Sequence, residues 1–179
     1  MQEITIKKSY LIIGIVVILA LSSFFFIPKF TGNAVKETSN NLVQVQAKDF
    51  SLQTTEGEKI TLSQFKGKVV ILQAMTSWCP SCKLQVQQIK PIYEKYVDDG
   101  LVVISLDIQP ERSSLQDLKN FKTKFGGEWY FGFYSEFINQ YSIRSLDSTI
   151  IIDKSGNIAY RDDTITTTEN LEKIVKSLL

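Results

Sequence analysis

The sequence predicts an α/β layer fold, a central sheet flanked by helices, preceded by an N-terminal transmembrane helix. Three observations predict it. Lys68–Met75 (KVVILQAM) and Leu101–Leu106 (LVVISL) are apolar, Val/Ile-rich runs of strand length, suited to strands buried on both faces. Between them lies a segment with helical apolar spacing, so the three read as a parallel βαβ unit. Ahead of them, Tyr10–Ile27 (YLIIGIVVILALSSFFFI) carries no charge at all.

That N-terminal run would span about 27 Å as a helix, close to the hydrocarbon thickness of a bilayer. A helix apolar all round has no place inside so small a domain. A cleaved secretory signal is the alternative, with Lys7 and Lys8, an apolar stretch to Ala20, and a small-residue site at Ala20-Leu21-Ser22. Phe24, Phe25, Phe26 and Ile27 continue the apolar run past that site, which favours an uncleaved anchor. No cysteine lies nearby for lipid attachment. Residues 1–9 then form a short cytoplasmic tail held inside by its lysine pair, a signal that Lys29 and Lys36 dilute. Residues 10–27 are the anchor and 28–41 a linker, polar over Thr31–Asn41. Residues 42–179 form one domain on the extracytoplasmic side of the cell membrane, where a disulfide can persist.

Within the domain, Phe50–Gln53 and Lys59–Leu62 read as short strands joined by turn residues Glu56-Gly57. The Lys68–Met75 strand follows. Pro80 to about Val97 is helical, with apolar positions at Leu84, Val86, Ile89, Ile92, Tyr93 and Tyr96, and Pro91 inside it should kink it. Asp98-Asp99-Gly100 ends it ahead of the second buried strand. A helix from Ser114 to about Phe125 comes next, with Ser113 as N-cap. Glu128–Tyr134 reads as extended, then Ser145–Ile152 as loop and strand, and Asn157–Asp162 as another strand after a Lys154-Ser155-Gly156 turn. Thr168–Leu178 closes the chain as a helix, with Thr166-x-x-Glu169 as a capping box.

Composition narrows the chemistry. The chain has 179 residues, two cysteines, no histidine and a formal charge of +1. Without histidine, a Ser-His-Asp triad, a Cys-His pair and every His-bearing zinc motif are excluded. The near-neutral balance argues against a nucleic-acid binder. Two cysteines allow at most one intramolecular disulfide, so their chemistry is that of a pair.

Trp78-Cys79-Pro80-Ser81-Cys82 places that pair where a buried strand feeds a long helix, the end of the sheet at which open α/β folds put their sites. Cys79 falls at the helix N-terminus, where unpaired N–H groups and the helix dipole favour a thiolate and lower a thiol from its usual pKa of about 8.5. Pro80 suits the first helical turn. Cys79 would attack a substrate disulfide, and the more buried Cys82 would resolve the mixed disulfide. A zinc site lacks its other soft ligands, and a purely structural disulfide closing so small a loop contributes little.

Six pieces in order carry a resemblance: Ala47-x-Asp49-Phe50-Ser51-Leu52, Gly57–Ser63, Phe65-x-Gly67-Lys68-Val69-Val70, Trp78-Cys79-x-x-Cys82, Tyr141-Ser142-Ile143-Arg144, and Ile151-Ile152-Asp153-Lys154-x-Gly156. Over residues 46–179 the chain resembles the thioredoxin superfamily, and within it the membrane-anchored group typified by TlpA and ResA. The resemblance implies a thioredoxin fold with a central mixed sheet, and extracytoplasmic thiol–disulfide exchange, sometimes in cytochrome c maturation. It implies protein thiols and disulfides as substrates, a membrane redox partner that recycles the pair, and no cofactor beyond the Cys79–Cys82 disulfide. Trp78, Pro80 and Leu146–Ser148 would form the exposed docking surface.

The chain departs from that family at three positions. The loop position of the family's cis-proline holds Asp147. A cis bond before a non-proline costs about 2.5–4 kcal/mol, so a trans Leu146–Asp147 bond is expected. Asp147 is either a solvated loop residue or a carboxylate beside the sulfurs, opposing the Cys79 thiolate. Gln73 stands six residues before Cys79, where thioredoxins usually carry Asp, and Gln85 three after Cys82, where ResA-type relatives carry Glu. Neither glutamine titrates, so Asp147 is the candidate for moving protons. With no His between the cysteines a strong oxidant is disfavoured and a reductase favoured, an oxidase being the alternative. A peroxiredoxin fits less well, because Thr76 matches its pattern but Leu72 stands at the Pro position. A soft-metal carrier such as a Cu(I) module is the non-enzymatic alternative, although copper-assembly relatives use Cys-x-x-x-Cys plus His, and this chain has neither.

Overall fold

A computed structural model describes residues 45–179. The expected tail, anchor and linker all lie outside the described residues. Among the described residues, no helix is long and apolar enough to cross a membrane.

The described elements run β1 (Ser51–Gln53), β2 (Lys59–Thr61), a 3-10 turn (Leu62–Phe65), β3 (Val69–Met75), α1 (Pro80–Tyr96) and β4 (Leu101–Asp107). After a second 3-10 turn (Pro110–Arg112) come α2 (Leu115–Phe125), β5 (Tyr130–Phe133), the short α3 (Phe137–Gln140), β6 (Thr149–Ile152), β7 (Ile158–Asp162) and α4 (Thr168–Leu178). The main sheet has the order β5-β4-β3-β6-β7, parallel across β5-β4-β3 and antiparallel across β3-β6-β7. This is a thioredoxin-like α/β fold with a central mixed sheet. The βαβ unit is β3-α1-β4, in register from Val69 opposite Leu101 to Met75 opposite Asp107.

Every residue of β3 and β4 is buried, as their unbroken apolar runs require. The pleat sends alternate side chains to opposite faces. Val69, Ile71 and Met75 join α1 residues Val86, Ile89 and Ile92 in one core layer, while Val70, Leu72 and Ala74 join Phe50, Ile60, Phe65 and Phe137 in the other. By the same parity, Gln73 of β3 is on the α1 side, which aims it at the cysteine helix.

The β1–β2 hairpin lies against β5 through a bridge between Thr54 and Gly132. A Cβ on Gly132 would sit 2.5 Å from Leu52 Cδ1 and 2.7 Å from the Gln53 carbonyl oxygen, so the close approach needs glycine. At the N-terminal end of β3, Gln46 bridges Asn157 and the Ala47 N–H donates to the Gly156 carbonyl at 2.9 Å. The described chain therefore begins beside the β6–β7 turn.

Two caps differ from expectation by one residue. Ser114, not Ser113, caps α2, accepting the Asp117 N–H at 3.1 Å, while Asp117 accepts the Ser114 N–H at 3.0 Å. Ser113 is instead paired with Ser77, hydroxyl to hydroxyl at 2.8 Å. Thr167, not Thr166, caps α4, because Thr166 is buried and held by Gln85. The α1 helix continues through Pro91 to Tyr96.

Candidate active site

The site is built at the carboxyl end of β3. Thr76 and Ser77 turn the chain, the Cys79 N–H donates to the Thr76 carbonyl at 3.2 Å, and α1 begins. Cys79 is the α1 N-cap in an extended conformation, and Pro80 occupies the first turn, where its missing N–H leaves no bond unmade. Cys79 and Cys82 form a disulfide with their Cα atoms 5.3 Å apart. The Cys82 N–H donates to Cys79 Sγ at 3.1 Å, and the Ser81 hydroxyl lies 3.3 Å from the same sulfur. An otherwise orphaned helix N–H is thus aimed at the atom that carries charge when the pair is reduced. Cys79 is 2% exposed and Cys82 0%, so the reachable sulfur is that of Cys79.

Three segments surround the pair. From the strand side, Gln73 is fully buried, its amide nitrogen 3.5 Å from the Cys82 carbonyl and its Oε1 accepting from Ser105 Oγ at 2.9 Å. Ser105 Oγ in turn accepts from Trp129 Nε1 at 3.0 Å. From inside α1, Gln85 reaches away from the sulfurs to the Thr166 backbone, donating to its carbonyl and accepting from its N–H. Gln73 and Gln85 are therefore fixed amides, and neither can carry a proton.

The loop before β6 closes the third side. The Ala74 N–H donates to the Ser148 carbonyl at 2.9 Å, extending the β3–β6 pairing and laying the loop against the start of α1. The described residues contain no cis peptide bond, so Leu146–Asp147 is trans. The Leu146 carbonyl is 3.6 Å from Cys82 Sγ, in place to accept from the Cys82 thiol once the pair is reduced. A carboxylate oxygen of Asp147 and the two sulfurs lie within 4.8 Å of one another. Asp147 therefore lies half-buried beside the pair rather than out in solvent. These three side chains are also the group among the described residues that offers metal-ligand spacing, and only the reduced pair has thiolates to give.

Trp78 is exposed, and the Arg112 guanidinium lies over its ring at 4.0 Å. Pro80 is exposed, and Leu146 and Asp147 are half-buried. Ser148 is a correction to the expected docking surface. It is fully buried, because its carbonyl belongs to the sheet ladder, and its hydroxyl donates to Asp163 Oδ1 at 2.7 Å.

Asp107 was not anticipated. It ends β4 fully buried, accepting the Ser77 N–H at 3.1 Å and the Gln109 N–H at 3.0 Å, and so ties the turn before Cys79 to the end of β4. Burial pushes its carboxyl above the usual range, against the pull of these hydrogen bonds. The available signal was an acid ending an apolar strand.

Residues 43–161 match the AhpC/TSA family. The chain belongs to that family. Among curated proteins it is similar to the thiol-disulfide oxidoreductase ResA of Bacillus cereus, 28% identical over 173 residues, covering 96% of this chain and 98% of ResA. Among solved structures it is similar to a thioredoxin-like protein from Aeropyrum pernix, 29% identical, with TM-score 0.63 over 72% of this chain and 89% of that one. StoA from Bacillus subtilis, 24% identical with TM-score 0.59 over 71% of this chain and 96% of its own, supports the fold alone.

Proposed function

We propose that the protein is a membrane-tethered, extracytoplasmic reductase of protein disulfides. That it is a thiol–disulfide oxidoreductase working through the Cys79–Cys82 pair, without a cofactor, rests on the family, the fold and the disulfide at the α1 N-terminus. The observation carrying the direction is the Asp147 carboxylate beside both sulfurs. Negative charge there opposes the Cys79 thiolate and so destabilises the reduced form, which makes the pair the stronger electron donor.

In the proposed reaction the Cys79 thiolate attacks a substrate disulfide and Cys82 displaces the substrate thiol. Trp78, Pro80 and Leu146 receive the partner, and a membrane redox partner returns electrons to the pair. The tether and its orientation are supported by the apolar Tyr10–Ile27 run and the preceding Lys7-Lys8. Redox titration of the full chain with thiol alkylation tests the direction. We expect a potential near or below thioredoxin's, about −270 mV. A value near that of the strong oxidant DsbA, about −120 mV, would overturn the reductase reading and leave the oxidase.

A further inference from the structure

Resolving a mixed disulfide needs a proton acceptor at Cys82. Its sulfur is fully buried and attacks only as a thiolate, so a proton must leave in a place without bulk water. Gln73 and Gln85, the buried amides of β3 and α1, have their groups already engaged and carry no titrating proton. The Leu146 carbonyl can hold the S–H but cannot take the proton.

Asp147 can take it. The fold gathers its carboxylate with both sulfurs inside 4.8 Å, a gap that one water molecule or a small side-chain rotation closes. Its Oδ1 is enclosed by protein and has no hydrogen-bond partner, although its backbone N–H is satisfied by Ser145 Oγ at 3.2 Å. A buried acceptor left without a donor is costly, and the proton that Cys82 must lose on resolving, held until then toward the Leu146 carbonyl, is one this carboxylate can take. The other charged groups around this loop are engaged elsewhere or exposed. Arg161 donates to the Tyr141 and Ser142 carbonyls and pairs with Asp163, which accepts from Ser148. Arg144 is exposed, and from α1 Lys83 lies over the Phe125 ring.

We infer that Asp147 is the proton acceptor for Cys82, an inference that rests on the exchange chemistry proposed above. Cys79 S⁻ attacks the substrate disulfide, the substrate S–S bond breaks, and the first substrate thiolate leaves and is protonated by solvent. The Cys82 proton then passes to Asp147. Cys82 S⁻ attacks Cys79 Sγ, the Cys79–substrate bond breaks, and the enzyme disulfide forms as the second substrate thiolate leaves. Asp147 gives that thiolate the proton, which is possible because the same carboxylate reaches both sulfurs. The two enzyme thiols are oxidised and the substrate disulfide is reduced to two thiols.

The test follows the reduced full chain reacting with an aromatic disulfide that releases a coloured thiolate at each of the two steps. Asp147→Asn should slow the second release on the order of 10²-fold near neutral pH, the range of a positioned proton acceptor, without slowing the first. It should also remove the carboxylate limb from the pH profile of the second step, and Asp147→Glu should restore that limb in part. Asp147→Ser, which adds no volume to the loop, reads the same loss should the Asn variant fail to fold. A second release as fast as wild type, with an unchanged profile, overturns the role of Asp147 alone. A wild type that gives the first release and never the second overturns the exchange reading and this inference with it.

Discussion

Gln85 and Thr166 hold each other through a reciprocal pair of hydrogen bonds, the Thr166 N–H donating to Gln85 Oε1 at 2.7 Å and Gln85 Nε2 to the Thr166 carbonyl at 3.1 Å. Both are buried. One side chain thereby fastens the segment leading into α4 to the first turns of α1. A carboxylate could accept the N–H but would face the carbonyl without a proton to donate. Gln85→Glu should cost about 2–3 kcal/mol at pH 7.5, the price of a buried unmade bond. The introduced acid would have its pKa raised by folding, so the lost stability returns below the ordinary Glu value, about 4.3, and vanishes as pH rises through the folded one. Urea unfolding at about pH 4 and at pH 7.5 checks this, and a deficit equal at both pH values would contradict it.

Asp107 gives a pH dependence in the natural protein. Its pKa is raised in the folded state by burial, so it contributes stability below its unfolded value that is lost as pH rises through the folded value. Asp107→Asn removes that titration. The stability difference between wild type and Asp107→Asn should therefore shift in favour of wild type as pH falls from 7 to 4. Thermal unfolding of both proteins across that range measures it; a shift of opposite sign would show that the hydrogen bonds from Ser77 and Gln109 outweigh burial.

Gly132 should not accept a side chain. An alanine Cβ would meet the Gln53 carbonyl oxygen at 2.7 Å and Leu52 at 2.5 Å, and the first of these is backbone that moves only with the hairpin. Gly132→Ala should lower stability by about 1–3 kcal/mol, the usual cost of overpacking. The reactivity of Cys79 toward an alkylating agent should be retained, since the hairpin contacts the sheet face opposite α1. An unfolding midpoint equal to wild type would contradict the close packing.

The buried strands and the cysteine motif were legible because their information is local. An apolar β-branched run has few ways to be satisfied except as a central strand, and Cys-Pro-Ser-Cys directly after one fixes its own place at a helix start. Cap positions were not, because adjacent hydroxyl residues are equivalent in sequence and a distant partner decides between them. Ser77 claims Ser113, leaving Ser114 to cap α2, and Gln85 claims Thr166, leaving Thr167 to cap α4. Ser148 was misplaced for a similar reason: a polar residue in a loop reads as exposed until Ala74 and Asp163 take up its backbone and hydroxyl. Asp107 escaped because one acid at the end of an apolar strand is also what a solvated strand end looks like.

The described chain starts beside the β6–β7 turn, at the opposite end of β3 from the disulfide. A seven-residue strand puts about 20 Å between those ends. Whatever precedes residue 45 thus joins the domain at one pole while the sulfurs occupy the other. Under the proposed membrane tether, lengthening or replacing residues 28–41 would change how far the redox pole reaches and leave its chemistry the same.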